Sequence, residues 1–250
     1  MKNNGTADEE LDLIIGRNAV TEALRSGREI DTVFVAKGDR SGSIGMILSK
    51  AGENGAVIKE VDRRKLDAMC GGSNHQGVAA RAAAHTYADI EDMISAANEK
   101  GEAPFIVICD EIEDPHNLGA IIRTADACGA HGVVIPKRRG VSLTYAVGKA
   151  SAGAVEYVPV ARVPNIAAAL EKLKANGFWV YGADMDGTPW DRQDYSGAVA
   201  LVIGSEGRGI SRLVKEKCDF IVSLPMKGKI NSLNASVAAG VLMYEVIKHR

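Results

Sequence analysis

Three stretches of this 250-residue chain hold polar side chains at spacings that suit chemistry. The first runs Asp110-Glu111-Ile112-Glu113-Asp114-Pro115-His116-Asn117 and continues to Arg123. Asn117 stands at the mouth of an expected helix, where its amide can cap the helix or hydrogen-bond a ligand. Arg123 lies among Ile121, Ile122, Ala125 and Ala127. Such an arginine either lays its stem along apolar neighbours at the surface or sits in a cleft and holds phosphate or a developing oxyanion. His116 is given no role.

The second stretch is Gly204-Ser205-Glu206-Gly207-Arg208-Gly209, after the apolar run Ala200 to Ile203. Glycines after a strand let a ligand approach the backbone closely. The spacing G-x-x-G-x-G is not the dinucleotide fingerprint, and no Gly-Lys-Ser/Thr completes a P-loop. Glu206 would repel a phosphate. It suits a cationic cofactor, or one bound through hydroxyl and amine groups; equally, it could be a helix-capping glutamate in a plain turn. The third stretch follows Phe220 to Pro225. Ser232, Asn234 and Ser236 crowd one helix start, where capping needs only one of them. Ala235, Ala238, Ala239 and Gly240 make the same helix small-sided. A basic run, Lys137-Arg138-Arg139, reads as a solvated turn or as a sequence-blind phosphate contact.

Each stretch follows an expected strand, and ligands of open α/β sheets bind beyond the carboxyl ends of strands. The strands behind them are Phe105 to Asp110, Gly132 to Pro136, Val155 to Val160, Phe178 to Ala183, Ala198 to Gly204 and Phe220 to Pro225. Helices are expected over Asn117 to Cys128, Leu143 to Ala152, Pro164 to Asn176, Ile210 to Glu216 and Leu233 to His249. Continuous apolar strands alternating with helices predict a parallel sheet covered on both faces. Ahead of them, residues 11–85 read α-β-α-β-α-β. A helix that Asn18 could cap comes first; then strands over Thr32 to Ala36, Ala56 to Val61 and Gly77 to Ala84 alternate with helices over Ile44 to Asn54 and Arg63 to Met69. Residues 86–104 read as an acidic linker of one connecting helix plus loop, and residues 1–10 as a disordered tail.

Net charge is −2, which argues against a nucleic-acid partner. The acid excess is local, however. Residues 1–10 carry one Lys against three acids, and residues 86–104 one against five. Residues 11–85 carry eleven basic residues against nine acids, and residues 105–250 seventeen against fifteen. Local RNA-binding patches are therefore permitted. Cys70, Cys109, Cys128 and Cys218 are scattered without zinc-ligand spacing, so reduced thiols and no metal are expected. With neither a membrane span nor a signal segment apparent, the cytoplasm is the expected compartment.

Together the three stretches resemble the SpoU branch of the SPOUT methyltransferases. The matching segments are Asn117 to Ala125, Leu201 to Gly209, and Ile221 to Met226 with Ser232 to Ala238. In the front part, Gly16-Arg17-Asn18-Ala19-Val20 with Glu22-Ala23-Leu24, and His75 to Ala80, are similar to the substrate-binding domain of the family's ribosomal RNA guanosine 2′-O-methyltransferases. The residues alone suggest an ordinary doubly wound sheet. The resemblance implies instead a trefoil-knotted α/β methyltransferase domain over residues 105–250, with a mainly parallel sheet, preceded by a small α/β RNA-binding domain over residues 11–85. It further implies S-adenosylmethionine as cofactor, held largely through backbone at Gly182, Ala183, Ile203, Gly204, Gly207, Leu224, Met226 and Leu233. Arg123, Asn117, Glu206, Asn234 and Ser232 take the catalytic positions. The implied reaction is 2′-O-methylation of RNA, with a guanosine of large-subunit ribosomal RNA as target and a homodimer packed through the knotted domain. Arg17, Lys137, Arg138 and Arg139 are the expected RNA contacts. A tRNA methyltransferase, a resistance-type ribosomal RNA methyltransferase and a non-catalytic RNA-binding protein are the competing classes.

Overall fold

The structure, a computed structural model of the 250-residue chain, describes residues 13–26, 28–39, 42–82, 85–230 and 232–250. The expected tail, residues 1–10, lies outside the described residues. The chain divides into two compact units. The first runs to Thr86 and takes in Leu143–Ala146; the second comprises Tyr87–Ser142 and Val147–Arg250.

The first unit is built from β1 (Leu13–Ile15), α1 (Arg17–Arg25), β2 (Ile30–Ala36), α2 (Ile44–Glu53), β3 (Val57–Val61), α3 (Arg63–Met69) and β4 (Val78–Ala82). Its sheet has the order β1-β4-β2-β3, with only the β2–β3 pair parallel. Helical spacing sets which side chains meet it. Val20, Ala23 and Leu24 of α1 and Ile47 and Ala51 of α2 pack with Val33, Val78 and Ala80. Leu66 of α3 packs with Phe34, Val61 and Ala79, residues whose alternation puts them on the other face. The three-residue β1 has too little pattern to be read from sequence. Asn18 does not cap α1. It is exposed inside the helix, and the N-cap is Gly16, whose φ of 93° lies where a side chain is strained.

The second unit opens with α4 (Ile90–Glu99). Its Ile90 and Met93 join the core of this unit, and Ala88 N–H donates to Val160 O at 2.9 Å. Of residues 86–104, expected as a linker, all but Thr86 thus belong to the second unit. Six parallel strands follow in the order β10-β8-β9-β5-β6-β7. They are β5 (Phe105–Cys109), β6 (Gly132–Pro136), β7 (Val160–Val163), β8 (Trp179–Pro189), β9 (Val199–Ile203) and β10 (Phe220–Ser223). The helices are α5 (Pro115–Ala127), α6 (Tyr145–Ala150), α7 (Ile166–Ala175), α8 (Arg212–Lys215) and α9 (Ala235–Lys248). Ile106, Ile108, Val134, Val180, Ala200 and Val202 bury one sheet face against Ile166, Leu170 and Leu173 of α7 and Val214 of α8. Helix α9 lies against α5 and β9.

The strand expected over Val155 to Val160 is displaced. Ala154–Glu156 form a single 3-10 turn behind Gly153, whose φ is 88°, and pairing starts at Val160. Pro159 accepts from Val133 N–H at 2.9 Å but has no N–H to give, so the ladder begins there and the apolar residues ahead of it stay outside.

His131 fixes the start of β5. Its Nδ1 accepts from Phe105 N–H at 3.0 Å, and its Nε2 lies 3.0 Å from Glu102 Oε2. Burial lowers its pKa, outweighing the opposing hydrogen bond that its Nε2–H donates to Glu102. The unfolded state therefore takes up the proton first as pH falls. The stabilisation by His131 is complete above its ordinary value of about 6.5 and is lost as pH falls through its lowered folded value. Thermal melts from pH 7.5 to 5 should show a steeper loss of Tm for the native chain than for His131→Gln. Parallel curves would contradict this.

Candidate active site

The site lies beyond the carboxyl ends of β9 and β10 and against the middle of β8, where a break in strand register creates its floor. Ile221 pairs with Gly182, but the next residue, Val222, pairs with Thr188. Residues 183–187 are therefore pushed out of the ladder, and Ala183, Asp184 and Met185 line a cavity of about 260 Å³.

The loop after β9 forms one wall. Ser205 N–H donates to Gly209 O at 3.1 Å and Gly209 N–H returns to Ser205 O at 2.9 Å, closing a tight turn. Gly204 is required there, since a Cβ on it would lie 2.1 Å from the Gly209 carbonyl carbon. Ile203, Gly204, Glu206 and Gly207 line the cavity from this side; Leu224, Met226, Ser232 and Leu233 line it from the segment before α9. Gly182 does not. It remains inside the sheet, paired with Ile221, just below the bulge.

Glu206 gathers the polar groups. Its Oε1 accepts from Asn117 Nδ2 at 3.1 Å, from Asn234 Nδ2 in a short contact, and from Ala235 N–H at 3.4 Å. Asn234 Nδ2 also reaches Asn117 Oδ1 at 2.8 Å. Three elements distant in sequence thus meet on one carboxylate. Asn234 is the N-cap of α9, its Oδ1 accepting from Ser236 N–H at 3.0 Å and Val237 N–H at 3.3 Å. Asn117 is not the cap of α5; Asp114 is, accepting from His116 N–H at 2.9 Å. Released from capping, the buried Asn117 amide turns to Glu206.

Arg123 stands apart. Six residues along a helix turn it about 240° from Asn117. It is exposed, outside the cavity lining, and without an ion-pair partner among the described residues. Asp184, Ser205 and Arg208 also line the cavity, though their types and spacing alone do not single them out. Asp184 pairs with Lys215 at 3.1 Å. Nothing local in the sequence marks it, because the bulge is a property of strand register.

The expected RNA contacts differ in availability. Arg138 is exposed, and Arg139 is exposed but paired with Glu111 at 3.0 Å. Lys137 is half-buried. Arg17, in the first unit, is half-buried; its Nε donates to Gln76 O at 2.8 Å and its Nη2 lies 3.5 Å from Asp39. A phosphate there would have to compete with those bonds.

Burial raises the pKa of all four thiols, Cys109 and Cys218 to about 12, so they stay protonated at neutral pH. Among the described residues no group of three His, Cys, Asp or Glu could hold a metal ion, and no helix is long and apolar enough to cross a membrane.

The cavity joins apolar walls (Ile203, Leu224, Leu242) to a few carboxylate and hydroxyl groups, as small-molecule sites do. Ser205 Oγ is buried with no hydrogen-bond partner among the described residues, which leaves a polar group for a ligand to satisfy.

Known proteins match both units. Residues 104–244 match the family model described as SpoU rRNA Methylase family, and residues 13–88 the model described as RNA 2′-O ribose methyltransferase substrate binding. Fold and site thus define an RNA methyltransferase. The chain belongs to the SpoU rRNA methylase family. A Bacillus subtilis (strain 168) relative, YacO, named as a TrmH family tRNA/rRNA methyltransferase, is 53% identical over 243 residues, 97% of each chain. The AdoMet-bound rRNA methyltransferase from Sinorhizobium meliloti has the same fold, with a TM-score of 0.61, 24% identity, and coverage of 99% of this chain and 95% of that one. So does the SpoU methyltransferase AviRb from Streptomyces viridochromogenes in complex with AdoMet, with a TM-score of 0.60, 22% identity and 98% coverage of both chains.

Proposed function

We propose that this chain transfers the methyl group of S-adenosylmethionine to a ribose 2′-hydroxyl of RNA, at a guanosine of large-subunit ribosomal RNA. The carrying observation is the Glu206–Asn117–Asn234 cluster at the rim of the cavity. It joins residues from all three segments on which the family resemblance rests.

When bound, the cofactor supplies a methyl group already activated by a positive sulfur. Ala183, Ile203, Gly204, Gly207, Leu224, Met226 and Leu233 are the residues that would hold it, with Gly182 setting the bulge beneath. Glu206 complements a positive centre, and its own charge is steadied by two amides and one N–H. Asn117, Asn234 and Ser232 orient the ribose and the carboxylate.

A ribose hydroxyl is barely ionised at neutral pH, so attack needs its developing alkoxide stabilised. Arg123 serves as a clamp on that alkoxide and on RNA phosphate; with a pKa above about 12 it is no base. Arg123 lies outside the cavity lining of its own chain, and in this reading it acts on the site of the second protomer of a homodimer. Val237, Val241 and Tyr244 support this, standing 51%, 41% and 55% exposed at helical spacing along α9. Thr124, next to Arg123, faces Gly240 of that helix. The homodimer would pack this stripe. The same reading includes the family's trefoil knot, which would bring together the loops ending in Gly182-Ala183, Gly204 to Gly207 and Leu224 to Leu233, and action in the cytoplasm.

RNA is gathered by the first unit and by Lys137, Arg138 and Arg139, whose phosphate contacts carry no sequence information. Arg17, held by Gln76 and Asp39, is the contact to RNA from the first unit.

The test is methyl transfer in vitro by the full chain. Radiolabelled S-adenosylmethionine is supplied with deproteinised ribosomal RNA or tRNA. Label in large-subunit RNA, in dinucleotides that resist alkaline cleavage, is expected. Label confined to tRNA would overturn the substrate. A protein that binds RNA but not S-adenosylmethionine would overturn the enzyme.

A further inference from the structure

Two loops of the second unit leave the sheet through residues that rarely adopt the left-handed conformation. Glu111, after β5, has φ of 57°, and Arg139, after β6, has φ of 59°. Neither is glycine, and such residues persist only where their surroundings hold them. Here they hold each other, Arg139 Nη1 donating to Glu111 Oε1 at 3.0 Å. The loops are also joined through backbone, Val141 N–H to Ile112 O at 2.8 Å.

The other oxygen of Glu111 faces the cofactor side. Glu111 Oε2 lies 3.7 Å from Arg208 Nη1, and Arg208 Nη2 donates to Glu113 Oε1 at 2.7 Å. Arg208 belongs to the glycine-rich turn and lines the cavity. Exposure divides the roles. The Glu111 side chain is 15% exposed, against 78% for Arg139 and 64% for Arg208. A carboxylate so withdrawn from water needs a cation beside it. Arg139 closes the basic run Lys137-Arg138-Arg139 and is open to a second anion. One inner carboxylate is therefore shared between a guanidinium at the cavity and a guanidinium open to RNA phosphate.

We propose that Glu111 is a positioning residue that couples RNA binding to cofactor binding. This rests on the function proposed above. An RNA phosphate that takes Arg139 weakens its hold on Glu111. The carboxylate then turns its charge to Arg208, and the turn Gly204 to Gly209 is fixed in its cofactor-holding form. Arg139 supplies the two discrete arrangements that coupling requires, on Glu111 or on phosphate. By linkage, the cofactor tightens RNA by the same factor.

The experiment is calorimetric titration of the full chain with S-adenosylhomocysteine, which has no methyl to transfer, with and without deproteinised bacterial ribosomal RNA. For the native chain, RNA should lower the Kd about fivefold or more. In Glu111→Gln the Kd without RNA should stay within about twofold of native, because the Glu113 bond to Arg208 remains, and RNA should no longer change it. Arg139→Gln should bind RNA more weakly and also lose the coupling. Glu113→Gln should keep it. A purely structural role for Glu111 would lower Tm and both affinities while leaving the ratio intact. Full coupling in Glu111→Gln overturns the proposal, as does independent binding of both ligands to the native chain. A native chain that binds neither ligand would instead overturn the function on which the proposal rests.

Discussion

Replacing Arg123 with alanine should reduce methyl transfer roughly 10²–10³-fold, as loss of one donor to a developing oxyanion does in other enzymes. Affinity for S-adenosylmethionine should stay within about twofold, because Arg123 lines none of the cavity. Folding should be undisturbed, since the side chain is exposed. Arg123→Lys should rescue little, because a lysine cannot reproduce the fork that holds phosphate and alkoxide together. Action across a dimer gives the variant a second signature. Arg123→Ala and Glu206→Ala chains, mixed and allowed to exchange, should regain about a quarter of native activity, since half the dimers then carry one intact composite site. Single-turnover rates and calorimetry on the same preparations separate these effects. Equal loss of cofactor binding and transfer would show that Arg123 shapes the cofactor site itself. No recovery in the exchanged mixture would place its action within one chain.

Glu206→Ala should behave differently. It removes the acceptor shared by Asn117 Nδ2, Asn234 Nδ2 and Ala235 N–H. Asn117 is buried, and a buried amide that loses its partner bears the full desolvation cost, about 1–3 kcal/mol. That strain falls at the start of α9 and at the cofactor rim together. Cofactor affinity should drop about tenfold, on the scale of one charge-assisted hydrogen bond, and methyl transfer roughly 10²-fold or more. Glu206→Gln keeps an acceptor but loses the charge, so it should lie between native and alanine in both. Unchanged cofactor affinity in Glu206→Ala would remove the carboxylate from the site.

The two variants follow from how far each part of the site was legible. Strands β5, β6 and β9 are continuous apolar runs, and a buried parallel strand has no other way to look. Helix α5 shows its face through Leu118, Ile121, Ile122 and Ala125, all of which are buried. The glycine-rich turn announces itself by composition. The meeting of Asn117, Glu206 and Asn234 does not. These residues lie 89 and 28 positions apart, and no local periodicity brings them together. Only the family resemblance set them side by side. The bulge at residues 183–187 was invisible for another reason: it is an offset between β8 and β10, not a pattern within either. Arg208 and Glu111 were passed over because charged loop residues usually lie solvated, and pairing across three loops leaves no mark on composition. The apolar run Val155 to Val160 looks like a strand, but Pro159, with no N–H to give, marks where the ladder begins.

The decisive measurement is ribose-methylation mapping of ribosomal and transfer RNA from cells with and without this protein. Loss of a single 2′-O-methyl mark from the large-subunit ribosomal RNA is expected, restored by the native chain and not by Arg123→Ala. A mark lost from tRNA instead would keep the chemistry and replace the substrate. An unchanged map of both RNAs would contradict the proposed activity.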